Sequence, residues 1–320
     1  MLMFWRHLLK VSPGIPLQSI FRSSSQQAEE INRLTNYFFI AAGFILLVVV
    51  ALTALVVYKF RDSKEASTDA RPLSKKWEIA TIGVPTLLVL IFLYLNIKTI
   101  ISVEPAVNGR TPDVIITAHQ WWWQANYPST NVVAANEIHL PAGKKLLLKL
   151  LSADVIHDWW VPQLGNKMDM VPNHENYLWL TIKKPGVYYG TCSEFCGDQH
   201  AHMRIKVIAE TEADYNNWML AHAQSSSGDT SQTGAQLFVQ ITCGNCHRIK
   251  GTRADGNAGP DLTHLGSRQT LLAGLLENNQ QNLEDWIRHP QQVKPGANMP
   301  DFHLNDTTVR DIAAYLHTLK

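Results

Sequence analysis

The chain's four cysteines fall as two tight pairs, Cys192 with Cys196 and Cys243 with Cys246, and each pair is followed by a histidine. Framework disulfides tie distant segments together, whereas close pairs with a trailing His have the spacing of metal or prosthetic-group sites. The first pair lies in CSEFCGDQHAHM, residues 192–203, which adds His200 and Met203. Thiolate, imidazole and thioether together are soft ligands, a mixture that suits copper. A single blue-copper ion takes one thiolate, so the second cysteine calls for a second copper or for another metal. Zinc is the rival, since it accepts two Cys and two His, but it has no use for Met203 and cannot carry an electron. From the residues alone, His119, His139, His157 and His174 all compete to supply a second imidazole, and His202 is assigned to the surroundings of the site.

The second pair lies in CGNCH, where Cys243, Cys246 and His247 have the spacing of covalent haem attachment, with two thioether links and one axial imidazole. A lone C-x-x-C also occurs in redox disulfides and zinc ribbons, but neither a second C-x-x-C nor a βαβ pattern accompanies this one. Met299 in GANMP is the single methionine after the motif. Thioether ligation by Met299 would raise the haem potential, as suits an electron carrier. His264, His289, His303 and His317 stay open as alternatives.

These sites need elements to hold them. At 320 residues the chain is expected to form two or three units with cores of their own. Its formal charge of +1 and the lack of a long basic run exclude nucleic acid as a partner. Two segments, from about Tyr37 to Tyr58 and from about Ile79 to Ile97, have the roughly 20 apolar residues that a membrane span needs. Pro85 is expected to kink the second without ending it. Between them Lys59, Arg61, Lys64, Arg71, Lys75 and Lys76 place the connecting loop in the cytoplasm and both termini outside, although Arg6, Lys10, Arg22 and Arg33 weigh the other way. The start, MLMFWRHLLKVSPG, lacks the apolar run and cleavage site of a secretory signal, so the first span is expected to direct its own insertion.

From about Thr111 to Glu210 short β-branched or alternating runs are broken by Pro, Gly and Asn, which reads as an all-β sandwich. Candidate strands are VIITAHQWWWQANY, KKLLLKLL, NYLWLTI, GVYYGTC and MRIKVIA. TEADYNNWMLAHA is predicted helical with Thr211 as its N-cap, and SSSGDTSQTG is predicted to be a flexible linker. From about Gln232 onward the pattern is helical and loop-rich, and so small a unit would gain from a cofactor filling its centre.

CSEFCGDQHAHM, with HDWWVPQLGNKMDMVPN upstream, resembles the CuA domain of cytochrome c oxidase subunit II. The likeness extends to the hairpin, HQWWW and PGVYYGTCSEFCG, covering nearly everything from residue 19 to 208. CGNCH, GPDLTHLG and KPGANMP resemble a class I cytochrome c. The resemblance implies a multidomain chain: an N-terminal extracytoplasmic segment at 1–36, a transmembrane helical hairpin at 37–100, an all-β cupredoxin-like CuA domain at 108–210, a helix and linker at 211–231, and an all-α cytochrome c domain at 232–320. It implies that Cys192 and Cys196 bridge two coppers, that His157 and His200 cap them, that Met203 is a weak ligand to one, and that Glu194 offers its backbone carbonyl to the other. It further implies that the Glu194 side chain helps bind magnesium at the contact with the catalytic subunit, and that Met299 is the sixth haem ligand.

Two residues outside these sets carry expectations. Trp121, Trp122 and Trp123 lie in a predicted strand, with the first and third facing one way. The family resemblance makes Trp121 an exposed point where electrons arrive. Glu78 opens the second span on the cytoplasmic side, where it suits a helix N-terminus and, by the resemblance, the mouth of a proton path.

The whole resembles subunit II of the cytochrome-c-fused, caa-type haem-copper oxidases. A soluble donor such as cytochrome c would reduce the haem, the haem would reduce CuA, and CuA would feed the haem-copper catalytic subunit I, where oxygen becomes water. The expected setting is the inner membrane, with both cofactor domains extracytoplasmic and other oxidase subunits as partners. The copper subunit of a nitric oxide reductase and a non-enzymatic membrane-tethered shuttle are the alternatives.

Overall fold

The computed structural model describes residues 19–61, 74–104, 106–107, 109–226, 228–229 and 232–320. The MLMFWRHLLKVSPG start, Lys64 and Arg71 of the basic loop, and linker positions 227, 230 and 231 lie outside them. The chain divides into two compact units, residues 29–106 and the residues on either side.

In the first of these units the apolar runs form α1 (Gln26–Phe60) and α2 (Lys75–Val103), both long and apolar enough to cross a membrane. Each extends past its apolar stretch because good helix formers flank it, so α1 begins inside what the sequence reads as the N-terminal segment. Pro85 sits within α2 without ending it. Glu78 lies in its first turn, one turn past the N-capping Ser74.

The other unit holds two five-stranded sheets and a helical domain. The strands are β1 (Val114–His119), β2 (Trp122–Tyr127), β3 (Val132–Ala135), β4 (Glu137–Pro141), β5 (Lys145–Ser152), β6 (His157–Trp160), β7 (Met168–Met170), β8 (Asn176–Thr181), β9 (Gly186–Cys192) and β10 (Arg204–Glu210). One sheet runs β3-β2-β1-β5-β8 and the other β4-β10-β9-β6-β7, with β1/β5 and β4/β10 parallel and the other pairs antiparallel. Alternation drives the packing: Val114, Ile116 and Ala118 of β1 turn inward while their neighbours are half-buried. Trp123 and Trp159 meet edge to face in the core, centroids 5.7 Å apart.

VIITAHQWWWQANY is not one strand. The chain reverses at Gln120–Trp121, and β1 and β2 pair as a hairpin with Ala118 opposite Trp123. Trp121 therefore precedes the strand, and all three tryptophans are buried rather than alternating. A tight reversal inside an unbroken apolar pattern leaves no Gly, Pro or Asn to announce it.

Thr211 caps α3 (Glu212–His222) by accepting the amide of Asp214. Beyond it, α4 (Thr233–Gln240), α5 (Gln280–Arg288), α6 (Pro290–Val293) and α7 (Asp306–Thr318) surround a core of Phe238, Leu283, Ile312 and Leu316. Strand pairing there is limited, among the described residues, to the two-residue ladder of β11 (Thr270–Leu271) with β12 (Leu276–Glu277) and an isolated bridge between Arg248 and Asp255, so the domain is helical as expected. The last residues of the linker motif, Thr233 and Gly234, already belong to α4, and a Cβ on Gly234 would meet the Asp311 carbonyl oxygen at 2.0 Å. Only glycine lets α4 cross α7 so closely.

Helix α3 stands between the sandwich and the helical domain. Trp218 stacks on His139 at 4.1 Å and on His222 at 4.3 Å, and His222 lies 4.4 Å from His264. Burial, then repulsion from His264, lowers the His222 pKa to about 4, while its bond to the Trp218 carbonyl works against them and His139 and Arg268 lower it further. The unfolded chain therefore takes up a proton at His222 near pH 6.5 while the folded chain resists until about pH 4. This contribution is complete above pH 6.5 and is lost as pH falls toward 4. Thermal melts of the detergent-solubilised chain should show a smaller pH dependence in that window for His222→Phe than for the native chain.

Candidate metal and haem centres

β6 and β9 are neighbours in one sheet, with Trp159 opposite Cys192, and this pairing brings His157 to the copper loop across 35 positions of sequence. Cys192 and Cys196 have their sulfurs 3.8 Å apart. His157 Nδ1 lies 3.8 Å from Cys192 Sγ, and His200 Nδ1 lies 3.6 Å from Cys196 Sγ. Met203 Sδ is 3.8 Å from Cys196 Sγ, while the Glu194 carbonyl oxygen is 3.3 Å from Cys192 Sγ. All six residues named from the sequence thus meet around one point, and Met203 and His157 are fully buried there.

The rival histidines do not join them. His119 stacks on Trp122, His139 faces Glu210 and Trp218, and the described metal-capable group is His157, Cys192 and Cys196. His202 is held by Gln199 Oε1 at 2.7 Å.

The charge balance of the two thiols is the test of fit. A hydrogen bond from Cys196 and another from His157 pull the Cys192 thiol well below its usual range against the effect of burial. That bound thiolate, together with burial, drives the Cys196 thiol well up. One thiolate forms readily and two do not, unless positive charge lies between them. Copper ions held there would supply that charge, and soft sulfur with imidazole matches copper.

Around the ligands stands a supporting set that sequence reasoning missed. His157 Nε2 bonds Asp154 Oδ1 at 2.8 Å, leaving Nδ1 toward the sulfurs. Burial would raise the Asp154 pKa, but hydrogen bonds from His157 and from the Gln120 and Val155 amides hold it below the carboxylate range. The Trp121 indole and the Gln120 amide both donate to the Cys196 carbonyl, at 2.9 and 2.8 Å. Gly197 permits this approach: its φ is +110°, and a Cβ there would lie 2.9 Å from the Trp121 ring. No local motif marks these partners, because each depends on where another strand or loop arrives.

In the helical domain a cavity of about 240 Å³ is lined by Cys243, Cys246, His247 and Met299. His264, His289, His303 and His317 do not line it. His247 Nδ1 donates to the Pro260 carbonyl at 2.8 Å, which presents Nε2 to the cavity, and burial lowers its pKa and keeps it neutral. A neutral, oriented imidazole beside two free cysteines and an apolar wall is what a covalent haem requires.

Trp121 and Trp122 of the sandwich form part of the same wall. Trp121 is only 7% exposed, so it is not the open surface point expected of it. The helical domain covers it, with Lys294 Nζ donating to its carbonyl at 2.8 Å.

The family described as cytochrome c oxidase subunit II, periplasmic domain, matches residues 130–210, and cytochrome c matches residues 231–320. A cytochrome c oxidase subunit 2 of Alkalihalophilus pseudofirmus is 34% identical over 88% of this chain and 84% of its own. The chain belongs to the cytochrome c oxidase subunit 2 family. A second relative of that name, from a Bacillus species, is 30% identical over 77% of this chain and 75% of its own. The periplasmic domain of subunit II of a Bradyrhizobium japonicum oxidase is 28% identical over 35% of this chain and 95% of that one, with a TM-score of 0.34 that carries no argument about shape.

As a family member with a fused cytochrome c domain, the chain is a membrane-anchored electron-transfer subunit of a haem-copper oxidase, associated with other oxidase subunits and feeding its catalytic one. The oxidase identity sets aside the nitric oxide reductase and free-shuttle alternatives. The two domains imply haem c and a copper centre with a Cys/His cluster.

Asp154→Asn removes the charge that orients His157. It should weaken copper retention by about 10–100-fold, measured by competition with a copper chelator, while the haem spectrum stays unchanged.

Proposed function

We propose that an external donor reduces a haem held by Cys243, Cys246, His247 and Met299, and that the electron then crosses the Trp121 wall to a copper pair held by Cys192, Cys196, His157, His200, Met203 and the Glu194 carbonyl. When bound, the iron and the copper pair each accept and release one electron. The chain's own residues do the rest. Cys243 and Cys246 would hold the haem through thioether links, and His247 and Met299 would be its iron ligands. The β-sheet register and Asp154 hold the copper ligands rigidly, which keeps rearrangement small as charge changes.

A single contact carries the route: Trp121 lines the haem cavity and donates its indole hydrogen to the carbonyl of Cys196. The exit lies on the far side of the copper loop, where Phe195 is 74% exposed and the Glu194 side chain is exposed beside it. That edge suits contact with the catalytic subunit, with Glu194 as a candidate magnesium ligand. Glu78, exposed in the first turn of α2, is the candidate for a proton-path mouth. Lys59, Arg61, Lys75 and Lys76 favour a cytoplasmic loop between the helices, which puts both termini and both cofactor domains outside. The external donor is a soluble carrier such as a cytochrome c.

Metal analysis with optical and spin-resonance spectra tests the scheme. Two coppers and one haem per chain, with the spectrum of a shared-charge copper pair, are expected; stoichiometric zinc or an isolated copper ion would overturn it. Met299→Ala should abolish the signature of low-spin Met-ligated haem and lower its potential. An unchanged spectrum would hand the sixth position to a histidine.

A further inference from the structure

One carboxylate that takes no part in either site lies on the seam between the two domains. Glu137, on β4, is 4% exposed. Its Oε1 accepts from the Gln269 amide at 3.1 Å, from the Thr270 amide at 2.9 Å and from the Thr270 hydroxyl at 2.8 Å, and its Oε2 accepts from the Gln269 amide at 3.1 Å. Lys206, its register partner on β10, reaches Glu137 Oε1 at 3.0 Å and Gln269 Oε1 at 2.8 Å. A buried ion pair on the sandwich is thus completed by a turn of the haem domain. The neighbouring Asn136 lines the haem cavity, so this contact stands at its rim. At the copper end of the seam Gln199 donates to the Pro295 carbonyl at 2.6 Å, and Lys294 donates to the Trp121 carbonyl.

Buried ionic groups add little net affinity, because water solvates them well when the surfaces part, but they penalise wrong pairings heavily. Affinity is not what this interface lacks, since the short segment after α3 keeps the haem domain at high effective concentration. Register is what remains to be set. The donors to Glu137 come from two successive residues, Gln269 and Thr270, whose amides and hydroxyl converge on one carboxylate in this one alignment of the turn.

We propose that Glu137 is a positioning residue that locks the haem domain on the copper domain in one pose, so that electrons cross a fixed interface rather than one formed by a swinging tether. The inference rests on the cofactor assignment above. Each event moves one electron, the iron passing from ferrous to ferric as the copper pair is reduced by one.

The test uses the fully loaded oxidase, with copper and haem content checked first; chains lacking either would refute the cofactor assignment. The haem is reduced by a flash-excited ruthenium photoreductant with a sacrificial amine as electron source, and its reoxidation and copper reduction are followed at increasing glycerol concentration. The native chain should show one phase independent of viscosity. Glu137→Gln keeps the size of the side chain but places an amide against the donors of residues 269 and 270. It should slow transfer at least tenfold and make it viscosity-dependent, with both cofactor spectra and potentials unchanged.

A native rate that falls with viscosity, or a native rate in the variant, overturns the proposal. If Glu137→Gln does not load, Thr270→Val removes one donor alone and should slow transfer about threefold; no slowing overturns the proposal. Amide hydrogen exchange over residues 266–277 reads the latch without electron transfer. Protection should be strong in the native chain and lost in the variant, and native exchange at open-turn rates overturns the lock.

Discussion

Two thiols 3.8 Å apart inside an apolar shell cannot both lose their protons unaided, and much of the copper domain is arranged around that constraint. Metal charge lifts it, but only if every ligand is already in place. The sandwich supplies this by sheet pairing: β6 delivers His157, β9 ends at Cys192, and the loop between β9 and β10 carries the rest. Fully buried Met203, Met170 and Trp159 exclude water near the ligands, while Asp154 leaves one imidazole nitrogen free for the metal.

The second domain solves a different problem with similar means. A small helical unit has a thin core, and the close crossing of α4 with α7 at Gly234 leaves its centre for a cofactor. Its wall is not self-sufficient, because tryptophans of the sandwich complete it. The haem cavity and the copper loop are therefore parts of one packed body, linked by the Trp121 indole and the Gln120 amide, which both donate to the Cys196 carbonyl.

Much of the copper site was legible because Cys192, Cys196, His200 and Met203 sit within twelve consecutive positions, where soft ligands at such short spacing point to a metal, while the Glu194 carbonyl came only from the family resemblance. His157 was legible only through the family resemblance, since a 35-residue gap is closed by the register of β6 against β9, and from the residues alone three other histidines looked as suitable. The haem attachment was legible for the same local reason, whereas Met299, 52 positions beyond His247, stood out as the single methionine after the motif and through the family resemblance. The hairpin at Gln120–Trp121 was hidden by alternation that runs straight through it, and the burial of Trp121 was hidden because another domain causes it. Glu137 and Lys206 carry no signal in the sequence that sets them apart from other polar residues of strands. Their meaning lies in a pairing between parallel strands and a turn more than 130 positions away.

The covering of Trp121 separates two kinds of selectivity. When a copper domain receives electrons at an open indole, the surface that recognises the donor is also the surface that conducts, and neither can change without the other. On the route proposed above, conduction would be confined to an interior contact within one chain, out of reach of any visiting protein. Recognition of the donor would then fall to the outer face of the haem domain. Such a chain can adapt that face to a different carrier while the path to copper stays as it is.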